Sequence, residues 1–278
     1  MRKSGGFFMG FIACSLGGVP IYTYGLCLSL AVLLALLLAW GNARFHGVPA
    51  AMVTDMVLWG IPLALLCGRA GYVLHHFEQY SSHLAEILMV WHGGLSLYGT
   101  ILGMLLAIWG VCRVQGLDTW TWLDIMVPAG VLSLAVIELG IFALQLNPGL
   151  PFPDDLPNDH RLVEYVEYAF RPVGFGDTLY FQPIALYQAG LQVVVFLLLS
   201  LLTLTQRYFK WPSLPGTLFL SGVASLAFIR LGCGFFYLAS GADIGAALPL
   251  GRVMAAAIGI LAIAMLILRK RVHALKIY

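Results

Sequence analysis

Long apolar runs alternate with short polar segments along almost the whole chain. Seven of these runs approach the about 20 residues that a helix needs to cross a bilayer, and they cover about 22–41, 52–74, 95–113, 122–146, 183–206, 214–238 and 248–268. In lipid, a run of this length satisfies its own amides and carbonyls by forming a helix. The pattern therefore predicts an all-α polytopic membrane protein with seven transmembrane helices, in which residues 1–278 form a single integral membrane domain.

Composition supports membrane residence. Of the 278 residues, 60% are hydrophobic and 10% are charged, which lies outside the usual range of soluble globular domains. The longest non-apolar stretch, 147–182, contains five prolines that exclude one long helix, namely Pro148, Pro151, Pro153, Pro157 and Pro172. We predict an ordered loop or cap with short helical turns on the periplasmic, or extracytoplasmic, side between spans four and five.

The charged residues predict the orientation, because loops rich in lysine and arginine stay in the cytoplasm. Alternate loops and the tail carry the basic residues Arg44, Arg113, Arg207, Lys210, Arg269, Lys270, Arg271 and Lys276. The opposite side carries the acidic residues Asp154, Asp155, Asp159, Glu164 and Glu167. An odd number of spans then places the C-terminus in the cytoplasm and the N-terminus outside, against the weaker contrary signal of Arg2 and Lys3.

Residues 1–16 have two interpretations. Arg2, Lys3, a short apolar run and Cys14 are similar to a lipoprotein signal, although the apolar run is at the short limit for one. An interfacial segment, re-entrant or amphipathic, is the interpretation that we favour.

No metal site is predicted. The five cysteines lie on different segments without the close spacing of zinc ligands, and they are expected to be small packing residues. His75, His76 and His92 lie near the outer ends of spans two and three, where haem or pigment ligation is an alternative to ordinary interfacial placement. No cofactor is predicted other than a bound phospholipid, and no nucleic-acid partner.

Ionisable groups at membrane depth are costly and therefore mark structural or functional sites. Arg69 either binds a lipid phosphate, for which its planar fork is suited, or caps a helix end or pairs with an acid. Glu138 lies near the middle of span four and must be neutral or paired. We expect a buried ion pair of Glu138 with Arg69 or Arg230, with a role as a general base as the weaker alternative.

Four stretches carry a likeness to a known family. Residues 22–26 open span one, residues 67–74 place two glycines around Arg69, residues 91–99 lead from a glycine turn into span three, and residues 183–187 contain a proline followed by Leu-Tyr. In their order and spacing, these stretches make the chain resemble the bacterial prolipoprotein diacylglyceryl transferase family over nearly its full length.

The resemblance implies an activity. Members of that family transfer the diacylglyceryl group of phosphatidylglycerol to the lipobox cysteine of a prolipoprotein. This reaction needs a group that generates the thiolate and cations that hold the leaving phosphate. The resemblance also implies a multi-pass protein of the bacterial inner (plasma) membrane, with a cavity for phospholipid that opens sideways to the bilayer.

Several family positions carry unexpected residues here. Tyr98 stands at the signature histidine, and a phenol is a poor base near neutral pH. Glu138 stands at an arginine, Gln182 at a histidine and Gly234 at a glutamate, as the motifs align. Further substitutions replace polar residues by Ile141, Leu144 and Leu146 and a glutamate by Gln188. By the same alignment, Tyr24, Arg69 and Arg230 are retained.

These departures predict a family member without catalytic activity, because the base candidate, a phosphate contact and three carboxylates, at Leu146, Gln188 and Gly234, are lost together. We expect a lipid-binding or structural subunit of a membrane protein complex, whose lipid head lies near Tyr24, Arg69, Tyr98 and Arg230. The alternatives are an active diacylglyceryl transferase that modifies prolipoproteins and an unrelated transporter-like or cofactor-binding role. The partner subunits are expected to be membrane proteins.

Overall fold

The computed structural model describes residues 12–16, 19–80, 86–87, 89, 94–145, 148–152, 162–168, 171–172, 174–209, 214–238 and 250–275. Within these residues, seven helices are long and apolar enough to cross a membrane. They are α1 (Thr23–His46), α2 (Ala51–His75), α4 (Leu97–Gln115), α5 (Thr119–Ala143), α6 (Ile184–Tyr208), α7 (Thr217–Gly234) and α8 (Leu250–Leu275), and the short helix α3 (Phe77–Tyr80) follows α2. The prediction of an all-α protein with seven transmembrane helices is confirmed.

Local signals explain where these helices begin and end. Ser96 takes an extended conformation before α4 and its Oγ accepts from the amide of Gly99 at 3.5 Å, as an N-cap does. Gly116 ends α4 in the left-handed conformation with φ 66°, which favours glycine. Helix α7 is shorter than the predicted span 214–238, because Gly216 with φ 90° precedes it and the chain after Gly234 leaves the helix.

Short strands lie before α1 and between α5 and α6, and the apolar pattern did not predict them. Strand β1 (Ile12–Leu16) pairs antiparallel with β2 (Val19–Tyr22), and β3 (Glu164–Tyr165) pairs antiparallel with β4 (Tyr180–Phe181). Residues 12–16 are thus extended, whereas residues 1–11 lie outside the described part of the chain.

The described chain forms two compact units. The first is Leu36–Met126, and the second consists of residues 12–35 and 127–275. In the first unit, α2 and α4 pack closely at Gly99 and Gly103. A Cβ atom at Gly103 would overlap the backbone at Leu63. Small residues allow such a close approach of two membrane helices, so the glycines of this segment shape the first unit.

Helices α5, α6 and α7 share a core in the second unit. Val127 and Val131 of α5 pack with Leu199 of α6 and Leu218 of α7. Gly222 of α7 faces the same cluster, since a Cβ there would lie 2.8 Å from Cγ2 of Val127 and 3.2 Å from Cδ1 of Leu199. This packing brings polar residues near the ends of the three helices into register.

Extended backbone also connects the loop segments of the second unit. The Gln182 amide donates to the Leu150 carbonyl at 3.0 Å, and the Leu150 amide donates to the Phe236 carbonyl at 2.9 Å. Residues 148–152 therefore lie between the strand that precedes α6 and the segment that follows α7, and they fix the position of Tyr237 through a bridge with Gly149. The role of 147–182 as an outer cap and the assignment of 1–278 to one domain stay predictions.

Candidate functional site

Arg69 is a buried cation of the first unit. It lies in the last third of α2, and 5% of its surface is exposed. Its Nε donates to the Ile87 carbonyl at 2.9 Å and its Nη2 to the Glu86 carbonyl at 2.6 Å. A third bond runs from Nη1 to the Gly94 carbonyl at 3.2 Å. One guanidinium thus holds three carbonyls of the segment that joins α3 to α4.

Two aromatic rings also lie near Arg69. Its guanidinium carbon lies 5.2 Å from the ring centroid of Tyr80 and 5.9 Å from that of Tyr72, within the range of cation–π attraction. Gly94 has φ +80°, and a Cβ there would lie 2.9 Å from Nη1 of Arg69 and closer still to the Tyr72 ring. Only glycine fits this position. The contacts are those of an arginine that shapes a chain connection, and its lipid-binding role stays a prediction.

Tyr98 lies half-buried in the first turn of α4. The residue two positions before it ties this turn to α2, because the Ser96 amide donates to the Gly68 carbonyl at 2.9 Å. Thr100 adds a hydroxyl bond to the Ser96 carbonyl at 2.9 Å. The position is therefore well fixed, and it presents a phenol. The side chain of Tyr24, with all of His92 and Leu146, lies outside the described residues.

Glu138, Gln188 and Arg230 form a polar network in the second unit. The Glu138 Oε1 atom lies 3.7 Å from Nη1 of Arg230, and it accepts from Nε2 of Gln188 at 3.2 Å. Nη1 of Arg230 also donates to Oε1 of Gln188 at 3.5 Å. Of the two cations considered as partners of Glu138, the structure places Arg230 beside it.

Tyr237 extends this network beyond the end of α7. Its hydroxyl donates to Oε1 of Gln188 at 2.7 Å, and its ring centroid lies 5.7 Å from the guanidinium carbon of Arg230. Burial raises the pKa of the Tyr237 phenol, and the negative charge of Glu138 adds to this effect. The hydroxyl therefore stays protonated and serves as a donor.

The depth of the network follows from the helix directions. Glu138 lies near the C-terminal end of α5, Gln188 in the second turn of α6 and Arg230 near the C-terminal end of α7. Consecutive spans alternate in direction, so these three positions belong to the same side of the membrane. The predicted orientation makes this the outer side.

Three buried acceptor atoms in this unit have no hydrogen-bond partner among the described residues. They are Oε2 of Glu138, Oε1 of Gln192 and Oε1 of Glu164. Glu164 is 3% exposed, on β3, and burial raises the pKa of its carboxyl to about 7. Buried acceptors without donors are costly. This region therefore contains more buried acceptor atoms than its own described hydrogen bonds satisfy.

The other two substituted positions also lie in the second unit. Gln182 contributes its backbone to the bonds with residues 149 and 150. At Gly234, a Cβ would lie 3.2 Å from Cγ of Arg252, so the stem of Arg252 occupies the space in front of α7. The Arg252 guanidinium lies 5.0 Å from the centroid of the Phe235 ring. A glutamate at residue 234 would require this arginine to move.

The described residues contain no group of three or more His, Cys, Asp or Glu side chains that could hold a metal ion. His76 stacks on Tyr72 with ring centroids 4.3 Å apart, and its Nδ1 lies 3.1 Å from the Tyr72 carbonyl oxygen. His75 lies beside it, with ring centroids 4.7 Å apart. The two histidines are thus engaged in local packing.

Sequence reasoning missed the roles of Gln188, Tyr237 and Glu164. Gln188 entered it only as a replaced glutamate, although two amides one helical turn apart, Gln188 and Gln192, stand among mostly apolar residues in the first half of α6. That spacing is a usable signal of a polar helix face. Tyr237 gave no such signal, because a backbone bridge outside the spans determines its placement.

Comparison with known proteins identifies the family. A sequence model of the family described as prolipoprotein diacylglyceryl transferase matches residues 11–268. The chain belongs to the prolipoprotein diacylglyceryl transferase family. Together with the seven apolar helices, membership in this bacterial family makes it a multi-pass protein of the bacterial inner membrane.

Relatives of the chain carry the name phosphatidylglycerol–prolipoprotein diacylglyceryl transferase. The protein of Pediococcus pentosaceus is 30% identical over 223 residues, which cover 79% of this chain and 76% of the relative. That of Geobacillus kaustophilus is 34% identical over 184 residues, covering 66% and 67%. That of Limosilactobacillus reuteri is 30% identical over 220 residues, covering 79% and 77%. The similarity thus extends over most of each transferase.

Proposed function

We propose that this chain is a phospholipid-binding member of the prolipoprotein diacylglyceryl transferase family that lacks transferase activity. In this role it is a lipid-binding or structural subunit of a membrane protein complex. The observation that carries the proposal is the position of Glu138, whose Oε1 lies 3.7 Å from Nη1 of Arg230.

The physical reason concerns the leaving group of the transferase reaction. A glycerol phosphate that departs with its negative charge is stabilised by preorganised cations. At Arg230 a carboxylate is already in place, and it opposes the development of a second negative charge nearby. The Gln188 side chain bonds to both groups and holds the pair together. A retained cation next to a fixed acid suits binding of a lipid head better than stabilisation of a developing anion.

The substituted family positions support the same conclusion. The resemblance assigns a histidine to the position of Tyr98 and a glutamate to that of Gly234. The phenol does not replace an imidazole as a base near neutral pH. At Gly234 the neighbouring space holds the stem of Arg252, so that no side chain projects there.

An active transferase is the second candidate, and the names of the relatives support it. The relatives named above share about a third of their residues with this chain over two thirds or more of their length. Their name specifies phosphatidylglycerol and a prolipoprotein. A rearranged set of residues, with Tyr24 and Arg69 among them, would then carry the reaction.

Complementation distinguishes the two candidates. The chain is expressed in a bacterium depleted of its own diacylglyceryl transferase, and lipidation of a reporter lipobox peptide is measured. We expect neither growth nor lipidation, whereas the Pediococcus pentosaceus relative, expressed at a matched membrane level, should restore both. Lipidation of the reporter by this chain would overturn the proposal and leave the active transferase.

The binding role has its own measurement. Native mass spectrometry of the complex extracted in mild detergent should find a co-bound phospholipid or a stoichiometric membrane-protein partner. Detection of neither would remove the support for both binding roles.

A further inference from the structure

The charge of the Arg230 network sets which phospholipid heads can bind there. We propose that this network selects a zwitterionic phospholipid, with a phosphate and an ammonium group, over an anionic one. The inference rests on the phospholipid binding proposed above and adds the head-group class.

The guanidinium of Arg230 is accessible to a ligand. The Arg230 side chain is 39% exposed, whereas that of Glu138 is 8% exposed. Within the described part of the chain, the ion pair and the hydrogen bond of Arg230 both use Nη1. Among the described residues, its Nε and Nη2 atoms have no other hydrogen-bond partner, and a guanidinium edge of this kind suits a phosphate oxygen.

The net charge beside this guanidinium edge is near zero. The charges of Arg230 and Glu138 cancel at a separation of 3.7 Å, so an arriving head meets a network that is neutral as a whole. Burial and low dielectric strengthen the repulsion between the Glu138 carboxylate and an added anion. A head with a net negative charge therefore binds weakly, whereas one that carries its own ammonium keeps the total near zero.

Two buried acceptor atoms, one on α5 and one on α6, lack donors among the described residues. Glu138 is 6% exposed, and its Oε2 atom has no donor among the described residues. The Oε1 atom of Gln192, one turn from Gln188 on α6, likewise has no donor among the described residues. An ammonium group is a donor with no acceptor function. Its charge attracts the carboxylate across a few ångströms without direct contact.

Competition between lipids tests the proposal. Full-length protein in mild detergent is given equal amounts of phosphatidylethanolamine and phosphatidylglycerol with identical acyl chains, and native mass spectrometry counts the bound lipid. We expect phosphatidylethanolamine to be retained about tenfold over phosphatidylglycerol. Glu138→Gln keeps the size of the side chain and one acceptor oxygen but removes its charge, and it should bring the ratio to about one.

Two further variants serve as controls. Glu167→Gln removes an exposed carboxylate from the segment that follows β3, outside the network, and should leave the ratio unchanged. Arg230→Gln should weaken binding of both lipids while a preference for phosphatidylethanolamine persists, and it tests the proposal even when Glu138→Gln does not fold.

The outcomes separate the inference from the proposed function. A wild-type protein that retains phosphatidylglycerol equally or better would overturn the selectivity but support phospholipid binding. A folded Glu138→Gln variant with the wild-type ratio would also overturn it, because the preference would then have another origin. A protein that retains neither lipid would contradict both the inference and the binding function.

Discussion

Two arginines in this molecule are stabilised in opposite ways. Arg69 is 5% exposed and donates to the backbone carbonyls of Ile87, Glu86 and Gly94. Arg230 has a side chain that is 39% exposed, and it lies beside the carboxylate of Glu138. The first cation donates to main-chain carbonyls, whereas the second has a carboxylate as its neighbour.

This difference determines what each arginine can do. Three main-chain carbonyls accept from Arg69, so its planar fork holds a chain segment. A counter-ion cancels the charge of Arg230 but occupies only one of its nitrogen atoms, so an exposed edge remains for a ligand. Retention of an arginine at a family position therefore does not by itself preserve a phosphate site, because the surroundings decide its net charge.

Removal of Arg69 should give the largest effect. Arg69→Met leaves three carbonyls without their donor, and each lost bond to a charged group costs about 1–3 kcal/mol. We expect a loss of about 4 kcal/mol in the free energy of unfolding, measured by denaturant titration in detergent. Arg69→Lys should lose about half as much, because an ammonium does not reproduce the planar fork.

The matched control is Arg113→Met, since Arg113 is exposed near the end of α4. We expect a change within about 0.5 kcal/mol there. Similar values for the two substitutions would show that the carbonyl contacts of Arg69 contribute little, and the contrast between the two arginines would then fail.

Glu164 extends the comparison to a buried acid that has no counter-ion among the described residues. Burial raises the pKa of its carboxyl from 4.5 to about 7, so the folded protein binds the proton more tightly than the unfolded chain. The resulting stability is fully present below about pH 4.5, falls as the pH rises through about 7 and then levels off, with a total loss of about 3 kcal/mol. Glu164→Gln should remove this fall.

Unfolding titrations between about pH 5 and about pH 8.5 measure this difference. Glu167→Gln, which changes an exposed acid of the same segment, should retain the wild-type slope. An unchanged slope in Glu164→Gln would assign the pH dependence to other groups.

The comparison of the two arginines also shows which features of the molecule can be predicted from the sequence. Seven spans were predictable, because the apolar length needed to cross a bilayer is a local signal. A partner for Glu138 was predictable as well, since an isolated charge at membrane depth is too costly. The choice between Arg69 and Arg230 was not, because it depends on how α5 packs with α6 and α7 through Val127, Leu199 and Leu218.

The pairing of the short strands was harder to predict from the sequence. Strands of two residues carry no periodicity, so neither β3 nor β4 could be predicted from the pattern. Their pairing nevertheless buries Glu164, while the nearby bridge to Gly149 places Tyr237. The polar network thus depends on long-range backbone contacts at the ends of the helices, whereas the helices themselves depend on composition.

The ion pair of Arg230 should give the smallest of these effects, and a double-mutant cycle isolates it. Glu138→Leu, Arg230→Met and the double variant are compared by denaturant titration. Breaking a fully buried pair costs about 3–5 kcal/mol, but exposed pairs contribute at most about 1 kcal/mol. Because the Arg230 side chain is 39% exposed and that of Glu138 is 8% exposed, we expect a coupling energy between these limits, about 1–2 kcal/mol. Gln188 bonds to both partners, so Gln188→Leu should reduce the coupling by weakening their alignment. A coupling near zero in the wild-type background would mean that Arg230 and Glu138 are stabilised independently, and Arg230 would then keep a free charge for an anionic ligand.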